Sequence, residues 1–186
     1  SMTEIALYLP SLRGGGAERV MLTLANGFAQ RGLKVDLVLA KAEGPYLGDV
    51  ASGVRVVDLG EKRVSRSLPK LIAYLKRDRP RALLSALNHA NVIACVAVML
   101  ARTSTRLVVS EHTNVNRSLV GRGLKAKALL WAMRRTYAKA SQVIAVSDGT
   151  ATELVRAINI CRDKISVIYN PIDVQEVEKK SRDIPS

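Results

Sequence analysis

The stretch Ile5-Ala6-Leu7-Tyr8-Leu9-Pro10-Ser11-Leu12-Arg13-Gly14-Gly15-Gly16-Ala17-Glu18-Arg19 decides the fold. Its first five residues are apolar without alternation, the pattern of a strand buried on both faces. Three consecutive glycines follow, and then apolar residues return with helical spacing at Val20, Leu24 and Phe28, with Met21 and Ala25 alongside. A strand, a glycine loop and a helix in that order make a ready anion site. Glycine lets another molecule approach the backbone with no Cβ in the way. The first turn of the helix supplies unpaired N–H groups and a partial positive charge, and phosphate is the usual guest. The plainer alternative is a tight turn that uses glycine for its geometry only.

The same alternation continues along the chain. Strands are expected near residues 5–9, 35–39, 54–59, 82–85, 107–110, 142–146 and 165–168. Helices are expected near 17–31, 68–78, 92–101, 123–140 and 148–160, with Gly32 ending the first, Pro80 stopping the second and Asn91 capping the third. Residues 175–186 form a polar tail with little to bury. Strands alternating with helices predict an α/β fold: a Rossmann-like parallel sheet of about seven strands, covered by helices on both faces. Ligands of such sheets bind beyond the carboxyl ends of the strands. There the polar clusters Arg13–Gly16, Asn88-His89, Glu111-His112, Ser147-Asp148 and Asn170–Asp173 gather on one rim.

A chain of 186 residues, 48% hydrophobic, suits one domain and is free of any apolar run long enough to span a bilayer. Cys95 and Cys161 stand far apart in no metal-ligand spacing and read as reduced, mostly buried thiols of a cytoplasmic protein. No metal site is expected. The net charge of +13 is concentrated: residues 61–82 carry eight Lys/Arg against two acids, and residues 111–140 carry seven against one. Such clustering suits an anionic partner, whether a membrane surface, a polyanionic substrate or nucleic acid, unless these are simply two solvated helix faces. The second cluster sets Leu124, Leu129, Trp131 and Met133 among Lys125, Lys127, Arg134 and Arg135, the composition of a helix that lies on an anionic membrane. Against nucleic acid stand the few aromatics and the lack of any RRM, KH or zinc-finger pattern.

Familiar phosphate-binding chemistries do not fit. GxxxxGK[ST] is absent. The dinucleotide pattern GxGxxG would need a third glycine where Arg19 stands, and Lys41 occupies the place of a ribose-binding acid. There is no Gly-x-Ser-x-Gly elbow. Instead Gly14-Gly15-Gly16-Ala17-Glu18 after the first strand, Ser110-Glu111-His112-Thr113, Val146-Ser147 before a helix, and Ile168-Tyr169-Asn170-Pro171-Ile172-Asp173 after the last strand together resemble glycosyltransferase family 4, the bacterial group 1 type with the GT-B fold. The likeness runs from about residue 4 to 174.

That resemblance implies two Rossmann-like domains facing a cleft, the first holding the acceptor and the second the nucleotide-sugar donor. Residues 3–174 would be the acceptor-side domain, 175–186 the start of an interdomain linker or tail, and the C-terminal donor domain would be absent from this chain, leaving it inactive alone. The implied activity is retaining transfer of a sugar from a nucleotide-sugar, a co-substrate in place of any tightly bound cofactor, to a glycan, lipid-linked or polysaccharide acceptor. Contact with the inner face of an anionic membrane fits such acceptors. By the same resemblance Gly15 and Gly16 lie against the donor diphosphate or the acceptor, and His112 sits near the reacting sugar as the catalytic candidate. Arg13, Gly14, Asn88, Glu111, Ser147 and Asn170 join as candidate substrate-binding residues, while Asn170, Pro171 and Asp173 shape the interdomain hinge. Glu111 either orients His112 or caps the next segment, and Glu18 reads as a helix N-terminal charge. Two other readings stay open: a non-catalytic sugar-phosphate module or epimerase half, and a basic nucleic-acid-binding domain.

Overall fold

The computed structural model describes residues 2–112, 123–169 and 172–182. Seven parallel strands form one sheet: β1 Ile5–Leu9, β2 Val35–Leu39, β3 Val54–Asp58, β4 Ala82–Ala86, β5 Arg106–Glu111, β6 Gln142–Ala145 and β7 Ile165–Val167. Their order is β3-β2-β1-β4-β5-β6-β7. The winding reverses between β1 and β4, the point beyond whose carboxyl strand ends sheets of this kind bind their ligands. The six described helices are α1 Gly16–Gln30, α2 Leu68–Asp78, α3 Asn88–Ala101, α4 Gly123–Thr136, α5 Asp148–Ile158 and α6 Val174–Arg182. The Rossmann-like α/β sheet expected from the sequence is therefore present.

Strand periodicity splits the core in two. Ala6, Tyr8, Leu83, Val109 and Ala145 point to one face and pack with α2, α3, α4 and α5. Leu7, Leu9, Leu37, Leu84, Val108 and Ile144 point to the other and pack with α1 and α6. Both faces being covered explains why the inner strands read as continuous apolar runs.

Most boundaries follow the expected chemistry. Gly32, at φ 84°, ends α1, its N–H donating to Ala29 O at 3.0 Å. Ser147 caps α5, its Oγ accepting from Thr150 N at 3.1 Å. Three expectations need correction. Helix α3 begins at Asn88, so Asn91 is no cap but a fully buried residue inside the helix. The early start is made possible by Leu87, whose φ of 75° turns the chain sharply off the end of β4. Cys161 is exposed while Cys95 is buried. The polar tail folds as α6, which lays its one apolar pair, Val174 and Val177, onto α1 where Gly27 leaves room. Arg31 closes that contact with a 2.7 Å ion pair to the buried Glu178.

Candidate functional site

The glycine loop leaves β1 and enters α1 with Gly15 as N-cap. Gly14 takes φ 117°, a conformation open to glycine. Gly16 has nothing within 4 Å of the place a Cβ would take, so its backbone faces open space. The first intrahelical bond of α1 runs from Arg19 N to Gly15 O at 3.1 Å, which leaves the N–H groups of Gly16, Ala17 and Glu18 without helical partners. Glu18 folds its carboxylate back against Gly15, as a helix N-terminal charge does.

A second loop holds the first in place. Leu12 N donates to Glu43 O at 2.9 Å and Tyr46 N to Leu12 O at 3.3 Å. Gly44, at φ 120°, lies so close that a Cβ there would stand 2.1 Å from Leu12 O. Arg13 pairs with Glu43, which Lys41 also reaches at 3.2 Å. The hydrogen bond from Lys41, with that from Arg13, keeps the Glu43 carboxyl below its usual range. Arg13 is thus turned to the supporting loop, and Arg19 lies over the Tyr46 ring, 5.2 Å from its centre.

At the end of β5 the two neighbouring side chains part. Half-buried His112 sets its Nε2 2.7 Å from Ser110 Oγ, and burial pushes its pKa below the usual value, so the ring is neutral at physiological pH. Glu111 points inward, 1% exposed, and does not reach the cleft surface. Its carboxylate accepts from Tyr137 Oη and, at 3.5 Å, from Asn91 Nδ2. The amide of Asn88, with its NH2 turned toward the carboxylate, donates to both Glu111 oxygens at 2.7 and 2.8 Å. Asn91 further donates to Ser110 O at 3.1 Å and Tyr137 Oη at 3.0 Å. Burial pushes the Glu111 carboxyl up to about 7, against the pull of its hydrogen bonds. The cluster ties the first turn of α3 and the Tyr137–Lys139 turn to the strand end that carries His112.

The remaining candidates are more dispersed. Ser147 stands at the end of β6 with its hydroxyl engaged in capping. Asp173 caps α6, accepting from Glu176 N at 3.2 Å. Asn170 and Pro171 lie outside the described residues. Among the described residues no three His, Cys, Asp or Glu side chains cluster as metal ligands. Sequence reasoning missed Tyr137, Asn91 as a hub member, and the Glu43-Gly44-Tyr46 support. A Gly-Pro pair in the loop after β2 was the one visible sign of the last.

Neighbouring strands lie about 4.8 Å apart, and β1, β4 and β5 are adjacent in that order, so the glycine loop and His112 end strands roughly 10 Å apart on one rim. That span accommodates a sugar joined to a phosphate. The chain is 25% identical over 189 residues to the Campylobacter jejuni N-acetylgalactosamine-N,N'-diacetylbacillosaminyl-diphospho-undecaprenol 4-alpha-N-acetylgalactosaminyltransferase, covering 97% of this chain and 51% of that protein. It spans about half the length of the curated relatives it matches or less. The Anabaena protein Alr3699/HepE, solved with UDP and glucose, superposes with a TM-score of 0.68 at 20% identity, over 90% of this chain and 44% of that one. The UDP-N-acetylglucosamine 2-epimerase of Rickettsia bellii shares the fold at a TM-score of 0.60 and 10% identity, over 89% and 44% of the two chains. The profile of Glycosyltransferase Family 4 matches residues 14–176, nearly the whole Rossmann-like unit with its glycine loop and rim, and the chain belongs to that family.

Proposed function

We propose that this chain is the acceptor-side domain of a retaining glycosyltransferase, which moves a sugar from a nucleotide-sugar to a lipid-linked acceptor. It would act with a second domain of the full-length protein that grips the nucleotide, and alone it would not transfer. The observation that carries the reading is the pairing, on one rim, of the open Gly16 backbone with the His112 ring that Ser110 holds at 2.7 Å. As the sugar–phosphate bond breaks, negative charge gathers on the leaving diphosphate. The unpartnered N–H groups at the start of α1 are preorganised donors for that charge. His112, neutral and fixed by Ser110, offers a ring nitrogen to a sugar hydroxyl. Glu111 never touches substrate in this scheme. It holds the end of β5 so that His112 keeps its place. A diphospho-undecaprenol acceptor is drawn from the Campylobacter relative, whose name specifies one.

The reading extends to an anionic membrane. Helix α4 exposes Leu124 at 83% and Trp131 at 61%, with Lys125, Lys127, Arg134 and Arg135 on the same exposed surface. Arg135 covers the Trp131 ring at 5.4 Å. Apolar residues among cations suit the boundary between headgroups and acyl chains. No described helix is long and apolar enough to cross a membrane.

The deciding experiment is transfer by the full-length protein from a panel of UDP- and GDP-sugars to a polyprenyl-diphosphate-linked sugar, with product analysis separating transfer from epimerisation. Gly16→Val and His112→Ala should each lower kcat/KM about a hundredfold while leaving the melting temperature within a few degrees. Transfer unchanged in both variants, or epimerised nucleotide-sugar as the product, refutes the proposal. Co-sedimentation with vesicles should require anionic lipid and fall in a Leu124→Ser/Trp131→Ser variant. Binding indifferent to lipid charge refutes the membrane component.

A further inference from the structure

Between the Val64–Ser67 turn, the start of α3 and the middle of α4 lies a pocket of about 370 Å³. Its walls are Val64, Val92, Ile93 and Leu129, all half-buried and packed on the core beneath, with exposed Ser65 beside Val64. Arg63 and His89 stand at its lip. Glu61, the acid nearest in sequence, is taken by Lys70 at 3.0 Å, and among the described residues Arg63 has no ion-pair partner. Lys62 and Arg66 flank Arg63 in the chain, and Lys125 stands one turn before Leu129 on α4. The pocket also adjoins the candidate site. His89 at its lip follows Asn88, whose amide holds Glu111 beside His112.

The four aliphatic walls give a sugar ring no hydrogen-bonding partners, the polar groups Arg63, Ser65 and His89 all being exposed residues, and the lining offers a nucleobase no phenyl or indole ring to stack on. An apolar slot with free positive charge at its mouth complements a hydrocarbon chain that begins at an anionic headgroup. We infer that this pocket receives the first isoprene units of a polyprenyl-diphosphate-linked acceptor, with Arg63 on the diphosphate and the attached sugar lying over the Asn88–His112 rim. The inference rests on the transferase reading with a lipid-linked acceptor and adds where the lipid sits. It makes the first turn of α3 the divide between the lipid and sugar ends of one substrate.

The probe is calorimetric binding of farnesyl diphosphate, geranyl diphosphate, inorganic diphosphate and farnesol to this chain, each below its micelle concentration. Every fully buried methylene is worth up to about fourfold in affinity. Farnesyl diphosphate should therefore bind at least tenfold tighter than geranyl diphosphate, with inorganic diphosphate weaker than both. Ile93→Asp should erase the chain-length increment, and Val64→Asp, in the turn outside the helix, should repeat that loss if the first variant folds poorly. Arg63→Ala should reduce the preference for farnesyl diphosphate over farnesol at least fivefold. Equal affinity for all chain lengths, or an increment that survives both aspartate variants, overturns the inference. Full-length protein separates this failure from failure of the transferase reading. Transfer to long- and short-chain acceptors with the same KM sinks the pocket and leaves the transferase. Absence of transfer to either sinks the transferase reading.

Discussion

Replacing Glu111 by glutamine should flatten the pH dependence of stability between pH 5 and 8. The carboxyl is 1% exposed, and burial pushes its pKa from the ordinary 4.5 to about 7. An acid raised on folding binds more protons in the folded than in the unfolded state across that window. Its contribution to stability is therefore present below pH 4.5 and is lost as pH climbs toward 7. Every tenfold gain in proton affinity on folding is worth about 1.4 kcal/mol, which puts the total at roughly 3 kcal/mol. Asn88, donating to both oxygens, favours the ionised form, so this figure is a ceiling. Glutamine keeps the shape, accepts from Tyr137, and lets Asn88 turn its carbonyl oxygen to meet the new amide. His112, whose pKa is lowered by burial, titrates nearby with the opposite slope, but it is present in both proteins and cancels in the comparison. Urea unfolding of wild type and Glu111→Gln at pH 5 and pH 8 measures the difference directly. The variant should gain on wild type by about 1–3 kcal/mol over that interval. A stability gap that is the same at both pH values would show that Glu111 does not titrate there, and the account of a buried carboxyl hub would fall.

Three other substitutions probe the framework of the fold. Gly44→Ala forces a side chain into φ 120° with its Cβ 2.1 Å from Leu12 O, and should lower stability by about 1–3 kcal/mol in thermal melts while loosening the glycine loop. Asp36→Asn, at a 3% exposed residue that accepts from Thr3 at 2.8 Å, Tyr74 at 2.6 Å and Arg55 at 2.6 and 2.9 Å, should cost about 3 kcal/mol in urea. Burial pushes the Asp36 pKa up, but those hydrogen bonds more than reverse it, so its contribution is present above pH 3.8 and lost as pH falls below. Removing the α5 cap with Ser147→Ala should cost about 1 kcal/mol in thermal melts and leave the fold unchanged.

What the sequence reveals about this protein depends on how far each determinant reaches along the chain. The strands are legible because burial on both faces leaves a local mark, an unbroken apolar run such as Ile5–Leu9. Gly32 and Ser147 are legible as helix ends because a cap acts within a few residues of itself. The Glu111 hub is not legible, because its members come from three elements. Asn91 and Tyr137 are 46 positions apart, and each alone looks ordinary: a polar residue beside a helix start and a tyrosine in a basic stretch. Asn91 misled for a physical reason. Asparagine before an apolar run normally marks a cap, but the positive φ at Leu87 starts the helix earlier and turns Asn91 into the core, where it needs the partners that β5 and Tyr137 supply. The tail misled in the opposite way. Val174 and Val177 are too few to announce a buried helix, and their burial depends on a gap left by Gly27, some 150 residues earlier. Neither error moves the rim, because the strands whose carboxyl ends form it are the ones that the sequence marks clearly. This gives the substitutions above a common logic: those in the glycine loop and at His112 should act on chemistry, while those at Gly44, Glu111 and Asp36 should act first on stability and reach the chemistry only through it.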